Sequence, residues 1–295
     1  MSTDFECRSF GKWILAGEHS VLRGVPALVF PIQSREMHLQ YTRTNEPLRF
    51  DLLGAHGEEL QLLVWGVLDK ACDLLKIKKS DLQGTVVLSS TVPVGAGMGA
   101  SAALCVALTR WLGYLGHVSE SEFYDFARNL ENLFHGESSG VDIAVALSGS
   151  GLHFERHGER LSLTTSWQPQ WYISYCGERG VTLDAVNKVK ALIASNEELG
   201  SALDQQMHDA VLMAKKALAK TESEGFSELV KAIDLAGDCF EKWDLNRGAP
   251  EKHMMWLKSQ GAVAVKPTGS GGGGYVLSLW KQAPPSEVLN QLIPC

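Results

Sequence analysis

The run from Val92 to Leu108, VPVGAGMGASAALCVAL, constrains this chain more than any other segment. Gly95, Gly97 and Gly99 recur at every second position and lead without a break into a small-residue apolar helix. Such a run puts bare backbone N–H groups at a helix N-terminus, where the dipole supplies roughly half a positive charge. It reads as a seat for phosphate; from this segment alone, a tight turn ahead of a packed Ala-rich helix is the alternative. It is not the Walker loop, because no Gly-Lys-Ser/Thr occurs. It is also a poor dinucleotide fingerprint, since no strand-borne acid sits at the distance needed to hold a ribose.

The 295 residues suffice for two domains of ordinary size or one large one. Hydrophobic content of 45% and charged content of 21% belong to a soluble globular protein. The net charge of −7 argues against a general nucleic-acid binder. An acidic chain that takes an anion must do so with local backbone dipoles and a few placed cations. The six cysteines (Cys7, Cys72, Cys105, Cys176, Cys239, Cys295) are scattered, with no C-x-x-C pair and no zinc spacing. Free thiols in a reducing cytoplasm are the simple expectation. The start, MSTDFECRSFGK, does not read as a signal peptide, and no apolar run is long enough to span a membrane.

Periodicity predicts short strands at Trp13–Ala16, Ala27–Phe30 and Met37–Thr42, and a helix over Leu60–Leu75. Thr85–Ser90 reads as the strand entering the glycine run, and Ala102–Leu115 as the helix leaving it. Glu120–His135 is amphipathic, with Phe123, Phe126, Ala127, Leu130 and Phe134 on one face, and Val141–Leu147 begins another helix. After a strand at Gly151–Glu155 the texture changes. A strand at Trp171–Cys176 precedes helices over Leu183–Ser195, Ala202–Thr221 and Phe226–Trp243. Strands at Ala262–Lys266 and Tyr275–Trp280 flank a second glycine run, Gly269–Gly274. The expected boundary lies near 158, giving domains 1–158 and 159–295, with no linker and no internal repeat.

Three segments far apart in sequence look like parts of one site. In FGKWILAGEHSVLRG, Lys12 precedes a strand, and Glu18 and His19 follow it. In LENLFHGESSGVDIAVALSG, one helix ends, a turn runs through His135–Gly140, and a second helix opens at Asp142. An acid in the first turn of a helix is favoured there as a carboxylate, and it could act as a general base or pair with a lysine; Ser139 and Asp142 could equally be plain helix caps. Glu131, on the preceding helix, could hold Mg²⁺, which takes carboxylate and phosphate oxygens. The loop in KPTGSGGGGYVLSLW is longer than a hairpin needs and suits close approach of backbone to a ligand.

The motifs G-K-x-x-L-x-G-E-H-x-V-x-x-G, P-x-G-A-G-x-G-x-S-A-A and K-x-T-G-x-G-G-G-G, in this order over nearly the whole chain, resemble the GHMP small-molecule kinases. Within that family, GEHSVLRG and FHGESSGVDIAV are most similar to the mevalonate branch. The resemblance implies a two-domain α/β (α+β) fold: an S5-like α/β N-terminal domain and a ferredoxin-like α+β C-terminal domain, with ATP between them. It implies Lys12 and Asp142 as the catalytic pair, with Asp142 taking or orienting the proton of the substrate hydroxyl. Pro93, Gly95, Ala96, Gly97, Met98, Gly99, Ala100 and Ser101 would wrap the ATP phosphates, and Glu131, with Ser101, would bind Mg²⁺. Glu18, His19, Ser139, Thr182 and Gly271 would lie near the acceptor. The implied partners are ATP and a small molecule, mevalonate, with no nucleic acid and no membrane; a homodimer stays open.

Two positions depart from the family pattern. Ala100 stands where many relatives carry a serine near the metal, and Ser138 stands for the usual proline, a change expected only to loosen the turn. A phosphorylated acceptor, as in other family kinases, would call for further cations, for which Arg23 and Lys188 are candidates. The remaining alternative is a nucleotide-binding relative that has lost catalysis.

Overall fold

The computed structural model describes residues 3–54, 57–135 and 138–295. Gly136 and Glu137, within the turn singled out above, lie outside the described residues. The chain forms two compact units, the first comprising residues 1–12 and 31–149, the second 13–30 and 150–295.

The strands near the N-terminus are longer than their hydrophobic patches. β1 runs from Phe5 to Ala16, alternating at first and then buried on consecutive residues. β2 runs from Ala27 to Pro47 and absorbs two predicted strands. Its first residues, Ala27–Val29, pair antiparallel with Leu152–Phe154, whereas Met37–Thr42 pair with Thr85–Ser90. Pro31, which has no N–H to donate, falls between these two ladders, and the exposed residues Gln33 and Ser34 there break the hydrophobic pattern.

In the first unit, β3 (Arg49–Leu53) pairs parallel with β4 (Gln83–Ser90), and β4 pairs antiparallel with β2. α1 (Gly57–Leu75) lays Leu60, Val64, Val67, Leu68 and Ala71 into the core, as its spacing predicts. α2 (Ala100–Tyr114) is apolar all round and buried on nearly every side, which is what such a helix requires. α3 (Phe123–His135) contributes Ala127 and Leu130 to the same core, and α4 (Val141–Ser148) adds Ile143 and Ala146.

In the second unit, β5 (Leu152–Phe154) pairs with β6 (Arg160–Ser162). β7 (Gln170–Tyr175) leads through α5 (Thr182–Ser195), α6 (Glu197–Ala219), α7 (Glu222–Lys242) and α8 (Ala249–Ser259) to β8 (Ala264–Thr268). β9 (Tyr275–Trp280), α9 (Ser286–Leu289) and β10 (Ile293–Pro294) complete it. The sheet order β10-β7-β9-β8, with antiparallel neighbours, is the ferredoxin-like arrangement implied by the resemblance. α6 and α7 pack through small and aliphatic residues: Ala210, Val211 and Ala214 on one, Leu229, Ala232 and Ala236 on the other. α8 carries no clear apolar stripe, since only Pro250 and Leu257 are buried along it, and the sequence reading leaves it out. Its local signal is Gly248 followed by Pro250 in the first turn.

Candidate active site

The glycine run is built as its spacing suggests. Gly95, Gly97 and Gly99 hold φ of 68°, 80° and 77°, a left-handed region that a β-carbon penalises. Gly99 caps α2, and its carbonyl accepts the N–H of Ala103 at 2.9 Å. Between the exposed Gly95 and Gly97 on one side and α2 on the other, Met98 is buried and anchors the loop. Pro93 and Ala96 are half-buried, Ala100 is buried and Ser101 is half-buried in the first turn of α2.

Lys12 is tied to this loop at both ends. Its backbone N–H donates to the carbonyl of Met98 at 2.9 Å, and its Nζ donates to the carbonyl of Gly97 at 3.3 Å. The same Nζ lies 3.3 Å from Oδ2 of Asp142, in the first turn of α4. Gly99 is where loop and pair meet: a β-carbon there would stand 3.1 Å from Cγ of Lys12 and 3.4 Å from Oδ2 of Asp142. The structure thus brings together Lys12, Asp142 and the glycine run, which are scattered over the sequence.

Glu131, on α3, is 2% exposed and accepts a hydrogen bond from the hydroxyl of Ser138. Burial, with the negative charge of Asp142 adding to it, pushes its carboxyl up to about 8. Ser138 does more than loosen a turn. Its N–H donates to Oδ1 of Asn132 at 2.7 Å, its Oγ accepts the N–H of Gly140 at 3.0 Å, and its carbonyl accepts Nε of Arg128 at 3.2 Å. A hydroxyl where relatives carry proline therefore gives Glu131 a donor and fixes the entry to α4. The Oγ of Ser139 accepts the N–H of Val141 at 3.4 Å, but the cap of α4 is Gly140, in the left-handed region, so Ser139 is not the helix cap.

The second unit holds the other predicted residues. Glu18 forms an ion pair with Lys266, their side chains 1% and 0% exposed. Nζ of Lys266 also donates to the carbonyls of Pro267 at 2.7 Å and Ile14 at 3.4 Å, and it lies 5.1 Å from the ring centre of Phe240. Burial pulls the ammonium down from its usual range, and Glu18 opposes that pull. Beside them Thr268 accepts the N–H of Ile14 and donates to its carbonyl, both at 2.9 Å, fastening the end of β1 to β8.

His19 sits at φ 55°, ψ −47°, with the N–H of Ser20 donating back to the carbonyl of Glu18 at 2.5 Å. This is a positive-φ γ-turn, rare for a residue with a β-carbon and costing of order 1–3 kcal/mol. The ring nitrogen Nε2 lies 2.8 Å from the carbonyl of Ser270, so Nε2 carries the proton when the ring is neutral. Phe240 and Trp243 meet the ring edge-on. Burial holds His19 down at about 4, with the Ser270 carbonyl opposing. Ser270 also reaches Thr182, Oγ to Oγ1 at 3.4 Å, and Gly271 packs at φ 71° where a β-carbon would meet the ring of Phe240. Lys266, Ser270 and Asp204 are the participants missed by sequence reasoning; only the presence of Lys266 and Ser270 inside the K-x-T-G-x-G-G-G-G run signals two of them.

The cations proposed for a phosphorylated acceptor are engaged. Arg23 donates through Nε and Nη2 to Asp204, at 2.6 and 2.5 Å. Lys188 donates to the carboxylate and carbonyl of Asp244, at 2.5 and 2.7 Å.

Residues 63–150, which contain the glycine run, Glu131 and Asp142, match the model of the GHMP kinases N terminal domain. That stretch carries a GHMP kinase N-terminal domain. The chain is 26% identical to the mevalonate kinase of Aeropyrum pernix over 96% of this chain and 90% of that one. It is 28% identical to the mevalonate kinase of Thermococcus gammatolerans over 92% and 88%. The crystal structure of L. major mevalonate kinase in complex with R-mevalonate shares its fold, with a TM-score of 0.79, 22% identity and coverage of 98% and 90%.

Among the described residues no group of three or more His, Cys, Asp or Glu side chains could hold a metal ion. Nor, among the described residues, is any helix long and apolar enough to cross a membrane.

Proposed function

We propose that this chain is a GHMP kinase that transfers the γ-phosphoryl group of ATP to the primary hydroxyl of mevalonate, giving 5-phosphomevalonate. The observation that carries the reading is the Lys12–Asp142 pair, 3.3 Å apart and in contact with the left-handed Gly99. Phosphoryl transfer through a loose transition state needs positioning and charge neutralisation more than covalent chemistry.

Each residue has a defined task. The exposed Gly97 and the N-terminus of α2 would offer N–H groups to the ATP phosphates. Lys12, held by the loop through Gly97, neutralises charge on the transferring group. Asp142 turns one oxygen to Lys12 and leaves Oδ1 to accept the proton of the acceptor hydroxyl.

Mg²⁺ fits this residue set. A protein cage is not needed, because Mg²⁺ keeps several waters and binds through one or two carboxylates plus phosphate oxygens. A carboxylate as buried as Glu131, beside the charge of Asp142, is one whose ionisation a nearby cation favours. Glu131 would hold the ion, with the Ser101 hydroxyl as a further oxygen; when bound, the ion supplies charge neutralisation at the phosphates. Ala100 offers no side-chain oxygen, and water would fill that place on a bound ion.

The acceptor side rests on Glu18, His19, Thr182 and Gly271. A neutral His19 whose Nε2 faces Ser270 has Nδ1 left as an acceptor, which suits a hydroxyl. The engagement of Arg23 and Lys188 by acids favours an acceptor without a phosphate of its own.

The test is a coupled ADP-release assay with Mg·ATP and mevalonate, phosphomevalonate, homoserine, galactose or no acceptor. Turnover confined to mevalonate is expected. Turnover with another acceptor, or silence with ATP bound, overturns the reading.

A further inference from the structure

Asp204, on α6, lies outside every motif the family shares with this chain, yet all of its side-chain hydrogen bonds go to one turn. Its Oδ1 accepts the hydroxyl of Ser20 at 2.6 Å and Nη2 of Arg23 at 2.5 Å, and its Oδ2 accepts Nε of Arg23 at 2.6 Å. Arg23 in turn sends Nη1 to the carbonyl of His19 at 3.3 Å and Nη2 to the hydroxyl of Ser20 at 3.4 Å. The residue thus flanked is the one held at φ 55°, ψ −47°.

A strained backbone persists only where its surroundings over-determine it, and a strained residue released from them returns to negative φ. The His19 ring is held by Ser270, Phe240 and Trp243. Its backbone is held from the other side by the fork of Arg23 on Asp204. We infer that Asp204 is a positioning residue, clamping the Glu18–His19–Ser20 turn through Ser20 and Arg23 so that the His19 ring is set for the acceptor; this rests on the kinase reading above.

A merely structural role is separable from this one. The pair is partly solvated, with side chains 26% and 21% exposed, so its loss strands no buried charge and costs the fold little. The effect belongs in the placement of His19. ATP is assigned to the first unit, so its binding is not expected to follow.

The experiment measures KM for mevalonate and for ATP, and kcat, in the full-length enzyme and in Asp204→Ala, Asp204→Asn and Arg23→Lys. A ¹⁵N-histidine spectrum of each protein reports the His19 tautomer. Asp204→Ala is expected to raise the mevalonate KM about tenfold, leave the ATP KM within about twofold, and move the His19 signal away from the fixed Nε2–H form. Asp204→Asn, which keeps one acceptor, falls between. Should Asp204→Ala not fold, Arg23→Lys, which keeps the charge but loses the fork, carries the same expectation. An unchanged mevalonate KM, or equal shifts in both KM values, overturns the inference. If the wild-type enzyme is silent toward mevalonate, the reading of the reaction fails and the spectrum decides the clamp: a moved His19 signal in Asp204→Ala supports it, and an unmoved one ends it.

Discussion

Removing Lys266 alone should cost far more than removing it together with Glu18. In the wild-type protein the ammonium satisfies Glu18, Pro267 and Ile14 with no exposed surface. In Lys266→Met the apolar replacement fills similar space, but the Glu18 carboxylate keeps its burial and loses its cation. Such a group neutralises by taking a proton. The unfolded chain holds that carboxyl ionised above its ordinary range of about 4.3, so keeping it protonated in the fold costs about 1.4 kcal/mol per pH unit beyond that. The penalty is then about 4 kcal/mol at pH 7 and about 1 kcal/mol at pH 5, in line with the roughly 3–5 kcal/mol typical of a broken buried pair. The sign is definite: the folded variant binds one more proton than the unfolded chain, so its stability falls as pH rises. Glu18→Gln combined with Lys266→Met removes the proton from the balance and should lie within about 2 kcal/mol of wild type, with no added pH slope. Urea unfolding followed by far-ultraviolet circular dichroism at pH 5, 6 and 7 measures all three proteins. A single variant as stable as the double one, or a penalty that does not grow with pH, would refute the reasoning.

Three further outcomes are expected. Asp142→Asn should lower kcat by about 10²–10⁴ with little change in the ATP KM, because the base is lost while the phosphate seat is intact; wild-type turnover sinks that assignment. Gly99→Ala should lower kcat by about a hundredfold, since a β-carbon at φ 77° pushes on Lys12 and Asp142; steady-state kinetics on a variant that melts normally is the check. His19, held at about 4 by burial, stays neutral in the fold while the unfolded chain gains a proton below its usual 6.5, so stability should fall with pH across that window. The loss amounts to about 3 kcal/mol by pH 4, and His19→Asn should remove it from the unfolding profile.

The glycine run was legible because its chemistry is local: left-handed φ at Gly95, Gly97 and Gly99 has few residue types to serve it. Likewise α1 and α3 follow from their own spacing, and the ferredoxin-like sheet from the resemblance. What stayed hidden is the long-range pairing. Nothing in the text of KPTG says that Lys266 will be fully buried against an acid in GEHS, because one salt bridge leaves no period behind. Asp204 reads as one more polar residue on an amphipathic helix until the turn at Ser20 is laid against it. The role of Ser138 is hidden for another reason: its departure from the family pattern reads as no more than a looser turn, whereas its hydroxyl has Glu131 within reach. The length of β2 is hidden because its hydrophobic pattern breaks at Gln33 and Ser34, where the strand changes partner.

The distribution of charge bears on which acceptor this kinase takes. With a net charge of −7, the protein has no general field to draw in a phosphorylated molecule. In the second unit, three cations carried by or near the acceptor motifs each meet an acid: Arg23 with Asp204, Lys188 with Asp244, Lys266 with Glu18. A phosphate on the acceptor would find these three cations already paired, and the Lys266 pair is the one whose disruption costs most. A carboxylate or hydroxyl makes no such demand, because backbone N–H groups and a neutral imidazole suffice for it. The same logic assigns the phosphates of ATP to the first unit, where left-handed glycines supply N–H groups that no acid can neutralise, and where Lys12 meets Asp142 at 3.3 Å, at the edge of hydrogen-bond range. A lysine held that loosely by its acid can turn toward a transferring phosphoryl group without leaving a buried charge behind.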